Sequence, residues 1–158
     1  MWSDDIIKNL VEGNLEPDAL LALQRADKET ERFEQVLAIE QARVNWKDKI
    51  VLCLQEHLYI VEKNGERIVK CTCGHEFGDY RQNWKENALV YLRDTEEKLD
   101  EIYRGPRKPD CTWSILREFY CPGCGTQLEV ESVMPNYPLV FTFLPDFEAW
   151  ENRRKSMK

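Results

Sequence analysis

Two short cysteine clusters are the residues in this chain whose types and spacing most clearly predict chemistry. Cys71 and Cys73 are separated by one residue, and Cys121 and Cys124 by two. The two-residue spacing lets both sulfurs reach one ion, and Gly125 can adopt the positive φ that turns backbone N–H groups toward the thiolates. Two such turns together make a tetrahedral site of four thiolates, which is typical of a closed structural zinc centre. We therefore predict that zinc is bound by Cys71, Cys73, Cys121 and Cys124.

The same residues leave two alternatives open for this site. His75 follows Cys73 closely enough to replace one thiolate; otherwise we expect it beside the site, with its ring N–H donated to a backbone carbonyl. Iron uses the same four-sulfur geometry in rubredoxin-like sites. Because nothing in the sequence indicates a redox partner, zinc is the preferred ion. Cys53 and Cys111 have no partner nearby in sequence, so we expect both to be core cysteines.

The sequence contains no motif of an independent enzyme. It lacks the phosphate-binding loop, the dinucleotide-binding glycine pattern and the nucleophile elbow. Its two histidines are His75, beside a cysteine cluster, and His57, in a strand pattern where a structural role is expected. The carboxylates are distributed as on solvated helix faces. We therefore predict no catalytic residues and no cofactor-binding residues besides the metal ligands.

The composition indicates a soluble protein that does not bind nucleic acid. The 158 residues are 32% charged, with a net charge of −7. Binding to nucleic acid depends on Lys and Arg neutralising phosphates, so this balance opposes it. No apolar run is long enough to span a membrane. The paired cysteines, together with an acidic start that does not resemble a signal peptide, predict reduced thiols and a cytoplasmic location.

The first 49 residues are predicted to form a helical extension. Ser3, Pro17 and Asp27 are expected to begin three amphipathic helices. In a small protein such apolar faces can pack on their own domain or on a partner, and both possibilities stay open. We interpret residues 1–49 as an extension for subunit docking and residues 50–158 as a separate β domain.

Strands are predicted to bring each cysteine cluster to the tip of a hairpin. The pattern becomes β-rich at Ile50, and Asn64-Gly65 is a strong two-residue turn whose returning strand leads to Cys71. The second cluster lies between strand-like runs at 115–120 and 127–131. Two strand–knuckle–strand units sharing an ion are typical of zinc ribbons. We predict an α+β fold: a zinc-ribbon-like β core with two metal knuckles, an N-terminal helical extension and a short C-terminal helix.

The interval between the clusters is long. Cys73 and Cys121 are separated by 47 residues, whereas compact four-cysteine sites have roughly 15–20. We interpret residues 76–112 as an inserted strand–helix segment, with a strand at 88–92 and a helix near 96–103 begun by a capping box of Asp94 and Glu97.

Two further segments carry predictions. The stretch 79–85 mixes Tyr, Trp, Arg and Lys, which are enriched at interface hot spots, so it is expected either to contact a partner or to pack over the ribbon. A last strand is predicted at 139–143, followed by a terminal helix that begins at Pro145-Asp146.

The order of these segments resembles one known family. Residues 69–85, VKCTCGHEFGDYRQNWK, and 117–126, REFYCPGCGT, are similar to parts of acetone carboxylase gamma subunits. The segments 128–131 and 145–147 fit the same family. The resemblance is specific because the Asn-Trp-Lys sequence follows the first knuckle in the same order.

The resemblance implies a cytoplasmic heterohexameric ligase with much larger alpha and beta subunits as partners. Such a complex converts acetone, bicarbonate and ATP to acetoacetate, AMP and two phosphates, with Mn²⁺ and ATP held by the larger subunits. The gamma chain would be a zinc-binding accessory subunit, non-catalytic on its own. Related complexes act on acetophenone or hydantoins, so a subunit of an acetophenone carboxylase or hydantoinase-like complex is an alternative. A free-standing zinc-ribbon binding module and an iron-bearing electron carrier are the competing classes.

Overall fold

The computed structural model describes residues 2–27, 29 and 31–156. Three helices come first: α1 Asp4–Val11, α2 Pro17–Arg25 and α3 Arg32–Arg43. The Ser3 hydroxyl accepts a hydrogen bond from the Ile6 N–H, and Pro17 is the first residue of α2, as predicted. The prediction that Asp27 begins the third helix is wrong. The backbone is still extended at Ala26, and the helix begins at Arg32, with Glu31 as its flanking residue.

Four antiparallel strands form the first sheet in chain order: β1 Lys49–Gln55, β2 Leu58–Lys63, β3 Glu66–Cys71 and β4 Glu76–Asp79. The β2–β3 hairpin turns at Asn64 and Gly65, which have φ angles of 52° and 84°. Two consecutive left-handed residues give the twist that a two-residue hairpin needs, which is why Asn-Gly is favoured there. The predicted hairpin is therefore confirmed.

Three antiparallel strands form the second sheet in the order β5 Leu89–Arg93, β6 Ile115–Tyr120 and β7 Gln127–Val133. β5 comes from the long interval between the cysteine pairs, and it pairs with β6 so that Leu89 lies opposite Tyr120. The helix α4 Glu96–Asp100 follows. Its cap is Thr95, not the predicted Asp94. Thr95 has the extended backbone of a cap, whereas the Asp94 carboxylate accepts a hydrogen bond from the Lys98 ammonium at 2.7 Å.

The predicted strand at 139–143 is not formed. Within the described residues, the segment 139–145 makes no backbone–backbone hydrogen bond, and it belongs to neither sheet. A strand requires hydrogen-bonded pairing with a neighbouring strand, and this segment pairs with none of β1 to β7. The terminal helix α5 Phe147–Ser156 does follow as predicted, and the Asp146 carboxylate accepts a hydrogen bond from the Ala149 N–H at 2.9 Å.

One cluster of buried side chains joins the two sheets. Trp84, in a short 3₁₀ turn at 84–87, packs edge-on against Phe77 at 5.7 Å and against Phe119 of β6 at 6.0 Å between ring centroids. The cluster contains further residues from β1 to β3, among them Val51, Leu58, Ile60 and Val69. The mixed helical and antiparallel architecture confirms the predicted α+β fold.

The helix α3 packs on the first sheet. The Glu40 carboxylate accepts a hydrogen bond from the Tyr59 hydroxyl at 2.7 Å, and the Gln41 side-chain oxygen accepts one from the Ile50 N–H at 2.8 Å. These polar contacts anchor the third helix to β1 and β2. None of the helices in the described ranges has both the length and the apolar character needed to cross a membrane.

Candidate metal centre

The first cysteine turn connects β3 to β4. The Cys71 N–H donates to the His75 carbonyl at 2.9 Å, and the Gly74 N–H donates to the Cys71 carbonyl at 2.8 Å. Gly74 has a φ of 98°, which residues with a side chain rarely adopt, so the tight turn depends on a glycine here. The Trp46 indole N–H donates to the Thr72 carbonyl at 3.0 Å. This bond links the turn to the segment between α3 and β1.

The second cysteine turn connects β6 to β7 and closes in the same way. The Cys121 N–H donates to the Thr126 carbonyl at 2.9 Å, and the Gly125 N–H donates to the Cys121 carbonyl at 2.8 Å. Gly125 has a φ of 72°, the left-handed geometry that its position in the sequence predicted. Each cysteine pair therefore lies at the tip of a hairpin, one hairpin from each sheet.

The four thiols of the two turns converge. Their sulfur atoms all lie within 4.8 Å of one another, with 3.7 Å between Cys73 and Cys121 and 3.9 Å between Cys71 and Cys124. Sulfurs bound at about 2.3 Å to a tetrahedral zinc ion are about 3.8 Å apart, whereas a disulfide bond is about 2.05 Å long. All four cysteines are free. The arrangement could hold a metal ion, and it brings together every cysteine that the sequence analysis selected.

The two hairpins supply one buried and one exposed cysteine each. Cys71 and Cys121 are buried, while Cys73 and Cys124 are exposed. Burial raises the pKa of the Cys71 and Cys121 thiols, because the charged thiolate is poorly solvated there. A hydrogen bond with the Thr126 hydroxyl lowers the pKa of Cys124 to about 7. A bound cation would stabilise all four thiolates, so the donor set suits a divalent metal that prefers sulfur ligands.

The imidazole of His75 is not part of this group of ligand atoms. Its ring packs edge-on against Phe77, with 4.9 Å between the centroids. A Cβ atom built on Gly123 would lie 2.9 Å from the His75 Cβ and 3.4 Å from the Cys73 sulfur. The two turns therefore approach closely because residue 123 has no side chain. This geometry favours four thiolates over three thiolates and a histidine.

A buried ion-pair network lies between the sheets, and the sequence analysis missed it. The Lys85 ammonium donates to Glu129 at 2.6 Å and to Glu131 at 2.5 Å, and 1% of the Lys85 side chain is exposed. Gln55 of β1 also donates to Glu129, at 2.7 Å. The two glutamates lie two residues apart in β7 and so share one face of the strand. That spacing is the signal that could have indicated a buried cation.

The two halves of segment 79–85 differ in their exposure. Asn83, Trp84 and Lys85 are 8%, 7% and 2% exposed, so they pack over the ribbon, which was the alternative expectation. Their burial follows from the position of Trp84 between the two sheets. Only the first half of the segment, with Arg81 paired to Asp79, remains at the surface.

The other predicted residues lie outside the sulfur cluster. Cys53 and Cys111 are half-buried, and burial raises the pKa of Cys53 to about 11. Neither thiol belongs to the sulfur cluster. His57 lies in the turn between β1 and β2 rather than in a strand, and its carbonyl accepts a hydrogen bond from the Thr72 N–H at 3.0 Å.

Comparison with known proteins identifies similar chains. Residues 44–155 match the family model described as acetone carboxylase gamma subunit. The chain is 41% identical over 146 residues to the acetone carboxylase gamma subunit of Xanthobacter autotrophicus, which covers 91% of this chain and 87% of that protein. It is 32% identical over 85 residues to the acetophenone carboxylase beta subunit of Aromatoleum aromaticum. This aligned region covers 52% of this chain and 66% of that protein.

Proposed function

This chain belongs to the acetone carboxylase gamma subunit family, and from that membership we propose that it is the accessory, zinc-binding subunit of a cytoplasmic heterohexameric carboxylase. The complex converts acetone, bicarbonate and ATP to acetoacetate, AMP and two phosphates. The larger alpha and beta subunits hold Mn²⁺ and ATP and carry out the reaction. The observation that carries this proposal is the 41% identity over 91% of the chain to a protein of that name.

In this proposal Cys71, Cys73, Cys121 and Cys124 are the zinc ligands. The sulfur separations of 3.7 and 3.9 Å support the assignment because they fit the edge of a tetrahedral zinc site. Four protein ligands leave no open position for a substrate, so the ion supplies structural cross-linking rather than Lewis acid chemistry. Zinc contributes on the order of 10 kcal/mol to folding in small zinc modules. Here it ties the tips of the two sheets together.

The proposed division of the chain assigns residues 1–49 to subunit docking and residues 50–158 to the zinc-bearing domain. The contacts of α3 with β1 restrict the surfaces available for docking in the first part. The outer faces of α1 and α2 are the candidates, and Leu21 on α2 is 44% exposed. An exposed leucine on an amphipathic helix is suited to an interface.

Co-expression of the tagged chain with the alpha and beta subunits tests the proposal. We expect the three chains to copurify, and native mass measurement to give one complex with stoichiometric zinc. With acetone, ATP and ¹³C-bicarbonate, the complex should produce labelled acetoacetate, and the larger subunits expressed without this chain should produce less. Recovery of the chain alone as a monomer would favour a free-standing zinc-ribbon module instead.

A subunit of an acetophenone carboxylase is the second candidate. The similarity to the acetophenone carboxylase beta subunit favours it, although this match covers 52% of the chain. The two candidates differ in the ketone that the complex carboxylates. The same labelling assay with acetophenone in place of acetone separates them, because label would then appear in an aromatic β-keto acid.

A further inference from the structure

The segment 139–144, here called the apolar strap, exposes an unusual amount of apolar surface. Its sequence is LVFTFL, and no residue from 133 to 145 is charged in a chain that is 32% charged. All its apolar side chains are more than a third exposed: Leu139 37%, Val140 38%, Phe141 36%, Phe143 55% and Leu144 57%. A contiguous apolar patch of this kind marks an interaction site.

The backbone of the apolar strap runs without a turn or bend and is unpaired. In the part of the chain that the structure describes, residues 139–145 make no backbone–backbone hydrogen bond. The consecutive residues Val140, Phe141, Thr142 and Phe143 are of types that suit a pleated strand. Burying these residues under a purely apolar surface would leave their N–H and C=O groups without partners, which is costly. A helix face offers no free backbone groups, so the cover that fits is the open edge of a sheet.

Both ends of the apolar strap are held by the folded domain. The Arg117 guanidinium donates to the carbonyl of Tyr137 at 2.9 Å and to that of Pro138 at 3.3 Å. At the other end, Phe147 is 5% exposed within the core. Fixing the ends lowers the conformational entropy that ordering the strap on a partner would cost.

A cleft beside the apolar strap can receive a side chain from an incoming strand. Phe143 and Leu144 line it together with Val51, Leu52 and Trp150, and its volume is about 310 Å³. Its lining is mostly apolar. It therefore suits an aliphatic or aromatic side chain on a strand that runs alongside the apolar strap.

We propose that the apolar strap adds as a β-strand to an open sheet edge of a larger carboxylase subunit. This inference rests on the proposed function, which supplies the larger subunit. The partner edge pairs over about 20 Å, the length of six extended residues. Its flanking side chains are apolar and uncharged, because the apolar strap offers no charge to pair with them.

Hydrogen exchange in the isolated chain and in the complex with the larger subunits tests this inference. In the isolated chain, the amides of residues 139–144 should exchange fast. In the complex, alternate amides should slow at least a hundredfold, because every second N–H of a strand faces its neighbour. A complex in which these amides exchange as in the isolated chain overturns the inference and leaves the proposed function standing. Failure of the larger subunits to bind this chain at all overturns both.

Two proline substitutions provide the matched variants. The N–H groups of Val140 and Phe141 would point to opposite sides of a strand, and neither donates a hydrogen bond to any residue that the structure describes. Only one of these two N–H groups can therefore face the partner edge. Of Val140→Pro and Phe141→Pro, the substitution at that position should weaken binding to the larger subunits about tenfold relative to the alanine substitution at the same position. The other should stay within about threefold of its alanine variant. Both isolated proline variants should melt as the unmodified chain does.

Three results would contradict strand addition to a larger subunit. Proline variants that both bind like their alanine variants would show that the backbone groups are not used. Equal losses of affinity for both proline variants would show that binding does not depend on which side of the segment an N–H group faces. Concentration-dependent dimerisation of the isolated chain that protects residues 139–144 would assign the sheet edge to a second copy of this chain.

Discussion

Replacing Lys85 by methionine removes a positive charge between the two sheets and keeps an unbranched side chain that is one atom shorter. The ammonium donates to Glu129 and Glu131 and lies 5.3 Å from the centroid of the Phe119 ring. Removing one partner of a buried ion pair costs about 3–5 kcal/mol, because an uncompensated charge stays behind. Lys85→Met should therefore lower the free energy of unfolding.

Two features reduce the expected cost below that range. Glu129 keeps its hydrogen bond from Gln55, and Glu131 keeps its ion pair with Arg117 at 2.7 Å. The glutamate side chains are also 24% and 14% exposed, so water partly solvates them after the substitution. We expect Lys85→Met to lower the free energy of unfolding by about 2–3 kcal/mol.

Lys63→Met is the matched control. Lys63 pairs with Glu76 at 2.5 Å, but both side chains are 37% exposed, and Lys70 also pairs with Glu76. Its loss should cost at most about 1 kcal/mol. Urea unfolding at a fixed concentration of free zinc measures both variants. A Lys85→Met protein that is no less stable than the Lys63→Met protein would refute the importance of the buried network.

Three further predictions concern the metal centre. Cys121→Ser should reduce zinc in the purified chain at least about tenfold, whereas Cys53→Ser, outside the cluster, should leave it unchanged; elemental analysis checks both. Gly123→Ala should cost about 1–3 kcal/mol by overpacking because its Cβ would lie 2.9 Å from the His75 Cβ; thermal melting measures this, and adding His75→Gly should restore most of the loss. In the metal-free chain, the pKa of Cys124 is about 7 because of Thr126, so Thr126→Val should raise that pKa and slow alkylation of Cys124 at pH 7; an unchanged rate would count against this role of the hydroxyl.

The metal-centre geometry was largely predictable because its causes are local. The spacing of the cysteines and the glycines beside them indicated two tight turns, and Asn64-Gly65 fixed the register of the hairpin that ends at Cys71. Turn chemistry of this kind depends on a few consecutive residues. The structure then brings the four sulfurs within 4.8 Å of one another. The sequence could indicate that the pairs should meet, but not which side chains lie around them.

The wrong predictions concern segments whose structure or burial depends on residues that are distant in the sequence. The segment 139–143 has strand-forming residues, yet it pairs with neither sheet, so propensity alone was insufficient. Lys85 looks like a surface residue in sequence, and only the packing of β7 against the 3₁₀ turn reveals that Glu129 and Glu131 surround it. Asp27 and Asp94 are suitable caps by type, but the positions where the backbone becomes helical are set one or more residues later.

The position of the two cysteine hairpins also sets an order of events during synthesis of the chain. Each hairpin alone offers only two sulfur ligands, and the second pair follows the first by 47 residues. A nascent chain that has reached the first sheet therefore cannot yet complete a four-sulfur shell. If the four cysteines bind zinc as proposed, the ion would be fully enclosed only after Cys124 has emerged from the ribosome and both sheets have docked. Metal capture would then be a late stage in the maturation of this protein.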